Sequence, residues 1–136
     1  MRLLVCGGRD YSDRQTMYLM LARINNHTPI TTLIHGAAKG ADVMAGDWAS
    51  SFGIPVEEYS ADWDAYGKAA GPVRNQQMLT EGKPDVVLAF PTVDLSTSKG
   101  TRSMVTKAIV ARVRTYTVDG DTLYTHDGHV VPLGTL

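Results

Sequence analysis

Chemistry in this chain concentrates in short polar runs that follow apolar ones. Gly7-Gly8-Arg9-Asp10 brings bare backbone, a cation and a carboxylate together. Arg9 can hold a phosphate through paired N–H donors, and Asp10 can take a ribose hydroxyl or pair with Arg9 itself. A surface ion pair beside a turn is the plain alternative. A second run, His35-Gly36-Ala37-Ala38-Lys39-Gly40-Ala41-Asp42, carries no bulky side chain that would hold a ligand off. It joins a strand-like stretch to a helical pattern, where unpaired N–H groups and the helix dipole suit phosphate or carboxylate. Gly36 and Gly40 fall one residue short of P-loop spacing, and Lys39 precedes the second glycine, so this is not a Walker sequence. A tight turn of any α/β protein accounts for it equally well.

Three further groups belong with these. Trp63 and Tyr66 can flank a nucleobase or pack their own loop onto the domain, the second role suiting Trp63. Arg74 and Asn75 stand just inside a helix start, where a guanidinium and the helix terminus favour the same anion. Beyond Pro91, Lys99-Gly100-Thr101-Arg102 again brings cations, a hydroxyl and N–H groups to a helix start. His126-Asp127-Gly128-His129 would set two histidines across a tight turn, a poor metal site, and no metal is expected. Cys6 at a strand end reads as a small buried residue before a nucleophile.

The elements that must position these residues alternate. Residues 2 to 6, 31 to 35, 56 to 59, 85 to 90 and 114 to 118 read as strands. Helical spacing follows Ser12 or Asp13, which can cap, and recurs over about 42 to 52, from Pro72 to Gly82, and over 101 to 112. Residues 60 to 71 show no periodicity and read as a long loop. Asp119-Gly120-Asp121 and Asp127-Gly128 signal turns of a small antiparallel hairpin over about 119 to 136. Alternating strands and helices imply right-handed crossovers and a mainly parallel sheet of about five strands in a three-layer αβα, Rossmann-like fold. In such a sheet the loops at 7 to 11, 35 to 41, 60 to 71 and 91 to 100 gather beyond the carboxyl ends of the strands.

Length and composition set the outer bounds. The 136 residues fit one domain over 1–136, with no linker-like stretch and no internal repeat. A net charge of −1 gives little general attraction for nucleic acid. One cysteine rules out an internal disulfide, and the apolar run at the N-terminus is too short for a signal peptide or membrane span. A cytoplasmic protein without membrane attachment is expected.

Taken in order, Gly7-Gly8-Arg9-Asp10-Tyr11, the run from His35 to Asp42, Trp63 to Gly67, Ala70-Gly71-Pro72-Val73-Arg74-Asn75 with Met78, and Ala89-Phe90-Pro91 followed by Gly100-Thr101 resemble the SLOG superfamily, and more closely its YspA/cpYpsA-related branch. The resemblance spans residues 3 to about 112. It implies a Rossmann-like domain that binds nucleotides or nucleotide-derived ligands, often as a homo-oligomer, with no required cofactor. Related LOG enzymes hydrolyse the N-glycosidic bond of nucleoside 5′-monophosphates, using a Pro-Gly-Gly-x-Gly-Thr-x-x-Glu loop and an arginine matched here by Arg74. The glutamate falls on Met104, which can neither activate water nor stabilise an oxocarbenium-like centre. Eight residues also separate Pro91 from Gly100, so the phosphate loop is remodelled.

Three functions follow as expectations. The first is binding or sensing of a nucleotide derivative. Gly36 to Gly40 and Gly100-Thr101 would hold phosphate, Arg9, Lys39 and Arg74 would add charge, and Tyr66 or Trp63 would lie near the base. Gly7, Gly8, Asp10, His35, Ala37, Asp42, Asn75, Pro91 and Lys99 complete the expected ligand-binding set. The second is LOG-like hydrolysis, with Arg74 and a carboxylate among Asp10, Asp42, Asp62, Asp64 and Asp94. The third is DprA-like binding of single-stranded nucleic acid, which the charge balance disfavours.

Overall fold

The computed structural model describes residues 1–92 and 99–136, so Asp94 lies outside the described residues. Strand β1 (Arg2–Gly7) is buried on both faces from Leu3 to Cys6, as a strand covered by helices on either side must be. Helix α1 (Arg14–His27) starts at Asp13, whose carboxylate accepts the Thr16 N–H at 3.1 Å and the Thr16 hydroxyl at 2.7 Å. It buries Met17, Met20, Leu21 and Ile24, one stripe at helical spacing. Asp13→Ala is expected to lower the urea midpoint with unchanged slope, as the loss of an N-cap does.

The chain continues through β2 (Thr32–His35), α2 (Ala41–Ser51), β3 (Val56–Glu58), α3 (Trp63–Tyr66), α4 (Ala70–Thr80), β4 (Val86–Phe90), α5 (Lys99–Val110), β5 (Arg114–Asp119), β6 (Thr122–Thr125) and β7 (Val130–Val131). Sheet order is β3-β2-β1-β4-β5-β6-β7. The first five strands pair in parallel, with Leu3 opposite Leu33 on one side and Val86 on the other. From β1 the chain builds outward to β3, then returns across the sheet to β4 on the opposite side of β1. That reversal is the point where a parallel sheet opens a crevice beyond its strand ends.

Side chains of β1 alternate between two cores. Leu3 and Val5 pack with Met17, Leu21 and Trp48 under α1 and α2, whereas Leu4 and Cys6 pack with Ile34, Met78 and Met104 under α4 and α5.

Two stretches differ from the sequence expectation. Residues 60 to 71 are mostly helical: α3 and a 3₁₀ turn at Gly67–Ala69 run into α4, which begins two residues before Pro72. Asp62 caps α3 by accepting the Ala65 N–H at 3.0 Å. No residue of α3 is buried, so no apolar period marked it. Pro72 falls within the first turn of α4, where its missing N–H costs nothing. At the C-terminus the expected turns form at Gly120 and Gly128, with φ of +62° and +88°. The strands they join pair antiparallel but extend the main sheet beyond β5, giving seven strands among the described residues. Among the described residues no helix is long and apolar enough to cross a membrane.

Candidate functional site

Two glycine loops interlock at the carboxyl end of β1. A Cβ on Gly7 would lie 2.4 Å from the Phe90 carbonyl oxygen and 2.5 Å from the Ala41 Cβ, so β1 ends clasped between β4 and α2. The Gly8 N–H donates to the Phe90 C=O at 3.1 Å. The Gly8 C=O in turn accepts from the Tyr11 and Ala41 N–H groups at 3.1 and 3.2 Å. Gly40 closes the joint at φ +85°, its missing Cβ leaving room for the Gly8 and Arg9 carbonyls.

Asp42, in the first turn of α2, is buried. Its Oδ2 accepts the Gly36 N–H at 3.0 Å and the Ala38 N–H at 3.4 Å, while the Ala37 N–H donates to His35 Nδ1 at 2.9 Å. Within the expected phosphate loop, Gly36 to Gly40, the first three N–H groups are therefore taken by side chains of the protein itself, Asp42 for Gly36 and Ala38 and His35 for Ala37. Arg74, half-buried on α4, donates from Nη1 to the Gly36 C=O and from Nε to Asn75 Oδ1 at 2.9 Å. A Cβ on Gly36 would sit 2.6 Å from that Nη1, so a larger residue there would push the guanidinium aside.

Burial dominates the electrostatics. It pushes the Asp42 carboxyl up to about 6, against the opposing pull of Arg74, of the Ala38 and Gly36 N–H groups and of Arg9. Burial also lowers Arg74, and Asp42 partly restores it. The Cys6 thiol is raised well beyond its ordinary value by burial and by Asp42, so it stays protonated and is no nucleophile.

A carboxyl raised on folding binds its proton more tightly in the native state. The stability this contributes is full below about pH 4 and is lost as pH rises through about 6. Wild type is therefore expected to gain up to about 3 kcal/mol from this group on acidification through that window, and Asp42→Asn to lose that component, read from urea midpoints against pH.

Two adjacent cavities open over this framework. The first, about 230 Å³, has a floor of Cys6, Met78 and Met104 and a rim of Lys99, Gly100 and Thr101 from the start of α5. The second, about 270 Å³, lies between Ala37-Ala38-Lys39 and Ser60, Ala61 and Trp63. Arg9, Ala38 and Arg74 line both. The Arg9 guanidinium stands 5.9 Å from the centre of the Trp63 ring, within cation–π reach.

The structure thus brings Gly7, Arg9, Gly36, Ala37, Lys39, Asp42, Trp63, Arg74, Asn75, Lys99, Gly100 and Thr101 to one crevice. Gly8 and Gly40 support it from beneath. Others named from the sequence lie elsewhere. Asp10 and Pro91 line a separate groove with Asp13 and Asp119. Tyr66 is exposed on α3, outside both cavities, as are the α3 cap Asp62 and its neighbour Asp64. His35 turns under α2 into the notch left by Gly46, with Nε2 at 3.6 Å from Glu58, and burial lowers its imidazole below the usual range. His129 Nδ1 pairs with Asp127 at 3.1 Å on the exposed β6–β7 turn. Sequence reasoning missed the floor residues Cys6 and Met78, although the side that Cys6 faces was readable from strand alternation and Met78 from the helical spacing of α4. It also missed Ser60 and Ala61, which carried no signal.

These features define a Rossmann-like α/β protein with an arginine-walled crevice at the reversal point of its sheet. The model of the YspA, cpYpsA-related SLOG family matches residues 1–66. The chain is also 39% identical over 113 residues to the Gene 61 protein of Mycobacterium phage D29, covering 79% of this chain and 87% of that protein. It belongs to the YspA, cpYpsA-related SLOG family, which supports a role related to nucleotides or nucleic acids. Among solved structures, DNA processing protein A (DprA) from Streptococcus pneumoniae is similar at 16% identity with a TM-score of 0.46. That alignment covers 88% of this chain, which spans 59% of the DprA chain.

Proposed function

We propose that the crevice binds a nucleotide or nucleotide-derived ligand by its phosphate. The observation that carries this reading is the meeting of Arg9 and Arg74 over the end of β1, flanked by Lys39 and Lys99, with Asp42 the one carboxyl among the described lining residues. Four cations around one buried acid, beside the start of α5, suit a phosphate better than a neutral or cationic ligand. Among the described residues, a Cβ at Gly100 would meet no atom within 4 Å. Trp63 supplies a ring face for a base. The position of the LOG glutamate, Met104, is buried in the apolar floor, which favours binding over hydrolysis.

A second reading rests on Asp42, whose raised carboxyl can hold or release a proton near neutral pH and so act as general acid or base in N-glycosidic cleavage. Equilibrium ultrafiltration with nucleoside monophosphates, NAD and ADP-ribose, followed by chromatography, separates the two. Depletion of one intact compound is expected. A new free-base peak, abolished in Asp42→Asn, would instead establish the hydrolase, and no depletion of any compound would defeat both. Binding of single-stranded DNA with a steep loss of affinity on adding salt would point to the nucleic-acid alternative.

A further inference from the structure

His35 is a buried titratable group that the proposed function does not use. It ends β2 with 2% of its surface exposed. Its ring lies against α2 at Gly46, where a Cβ would stand 2.7 Å from Nε2. The Ala37 N–H donates to Nδ1 at 2.9 Å, so Nδ1 carries no proton and the neutral ring carries its proton on Nε2, 3.6 Å from Glu58 Oε1. Ala37 is held at φ +61°, a left-handed backbone that a Cβ disfavours. It lines the second cavity, and its neighbour Ala38 lines both.

We infer that His35 is a proton-operated latch on the loop from Gly36 to Ala38: the neutral ring holds Ala37 in place, and a second proton, taken from solvent onto Nδ1, releases it. An imidazolium has two N–H donors and no acceptor, so the contact with Ala37 becomes donor against donor. The left-handed turn then loses the bond that offsets its strain, and the wall shared by the two cavities changes shape. The charges facing the ring are Glu58 on β3 and Asp47 on α2, which favour the imidazolium, while burial disfavours it and prevails. The latch is therefore shut at neutral pH and opens in acid. To either side, Asp42 of α2 holds the Gly36 and Ala38 N–H groups and Arg74 of α4 holds the Gly36 C=O. Asp42 also takes up a proton in mild acid, but a carboxylic acid keeps an acceptor oxygen, so the flanks stay tied while the middle is freed.

The test is NMR of the nitrogen-labelled full chain from about pH 8 to about pH 5, following the His35 ring nitrogens and the hydrogen-exchange protection of the Ala37 N–H. The Nε2–H tautomer is expected at neutral pH. Protection of Ala37 is expected to fall at least about tenfold on acidification, with the midpoint of the imidazole titration. Glu58 is exposed, so Glu58→Gln spares the fold and removes a charge that favours the imidazolium; both midpoints are expected to move to lower pH together. His35→Asn offers an amide oxygen near the place of Nδ1 that takes up no proton, and the step is expected to vanish. An Nδ1–H tautomer at neutral pH, an imidazole that titrates without change at Ala37, or a ring that stays neutral down to acid unfolding overturns the latch. A step that persists in His35→Asn, or keeps its midpoint in Glu58→Gln, also overturns it and assigns the titration to Asp42.

Discussion

Gly40→Ala is expected to destabilise the protein by about 3 kcal/mol or more. Gly40 adopts φ +85° and ψ −126°, a backbone region that side chains with a Cβ essentially do not enter. The added Cβ would also stand 2.4 Å from the Gly8 carbonyl oxygen and 2.5 Å from that of Arg9, and both are backbone atoms with nowhere to yield. Moving the Gly8 carbonyl disturbs the hydrogen bonds it accepts from Tyr11 and Ala41. Gly53→Ala is the control: its φ is +71°, yet a Cβ there meets nothing within 4 Å, so the cost is left-handed strain alone, about 1–2 kcal/mol. Urea denaturation of both variants separates strain from collision. Equal losses would show that the two loops can part without penalty.

Arg74→Ala is expected to weaken nucleotide binding about 100-fold, since charge-assisted hydrogen bonds of this kind are worth about 3 kcal/mol. The guanidinium is already aimed: Asn75 holds Nε and the Gly36 carbonyl holds Nη1, so little side-chain freedom is lost when a phosphate arrives. Arg74→Lys keeps the charge but cannot reproduce both anchoring bonds, and should recover only part of the affinity. The substitution also removes the strongest influence holding Asp42 ionised, so the Asp42 carboxyl should titrate higher still in Arg74→Ala. Titration calorimetry gives the affinity, and NMR of the carboxyl carbon gives the shift. Unchanged affinity with a moved Asp42 titration would make Arg74 a structural residue only.

Much of the fold was legible because burial writes itself into composition. Val86 to Phe90 is buried at every position, and such a run reads as a covered strand whatever surrounds it. The stripe on α1 was legible for the same reason. Helix α3 was not, because a helix that buries nothing has no period to read, and only the Asp62 cap marks it. At the site, residue types signalled cations beside glycine loops, and Arg9, Lys39, Arg74 and Lys99 line the crevice. Their partners did not show, because Asp42 satisfies backbone N–H groups, which every residue but proline possesses, and the Arg9–Trp63 contact joins loops far apart in sequence. Arg9 and Asp10 are neighbours in a turn and so diverge, one entering the crevice and the other the groove beside β5.

The outermost strands of the sheet are its shortest: β3 has three residues and β7 has two. A border that brief offers an incoming chain few consecutive donors and acceptors, so neither flank is a template for strand addition or for fibril growth. An added strand would have a ladder of only two or three residues to bond to, so side-chain contacts would have to supply most of its hold.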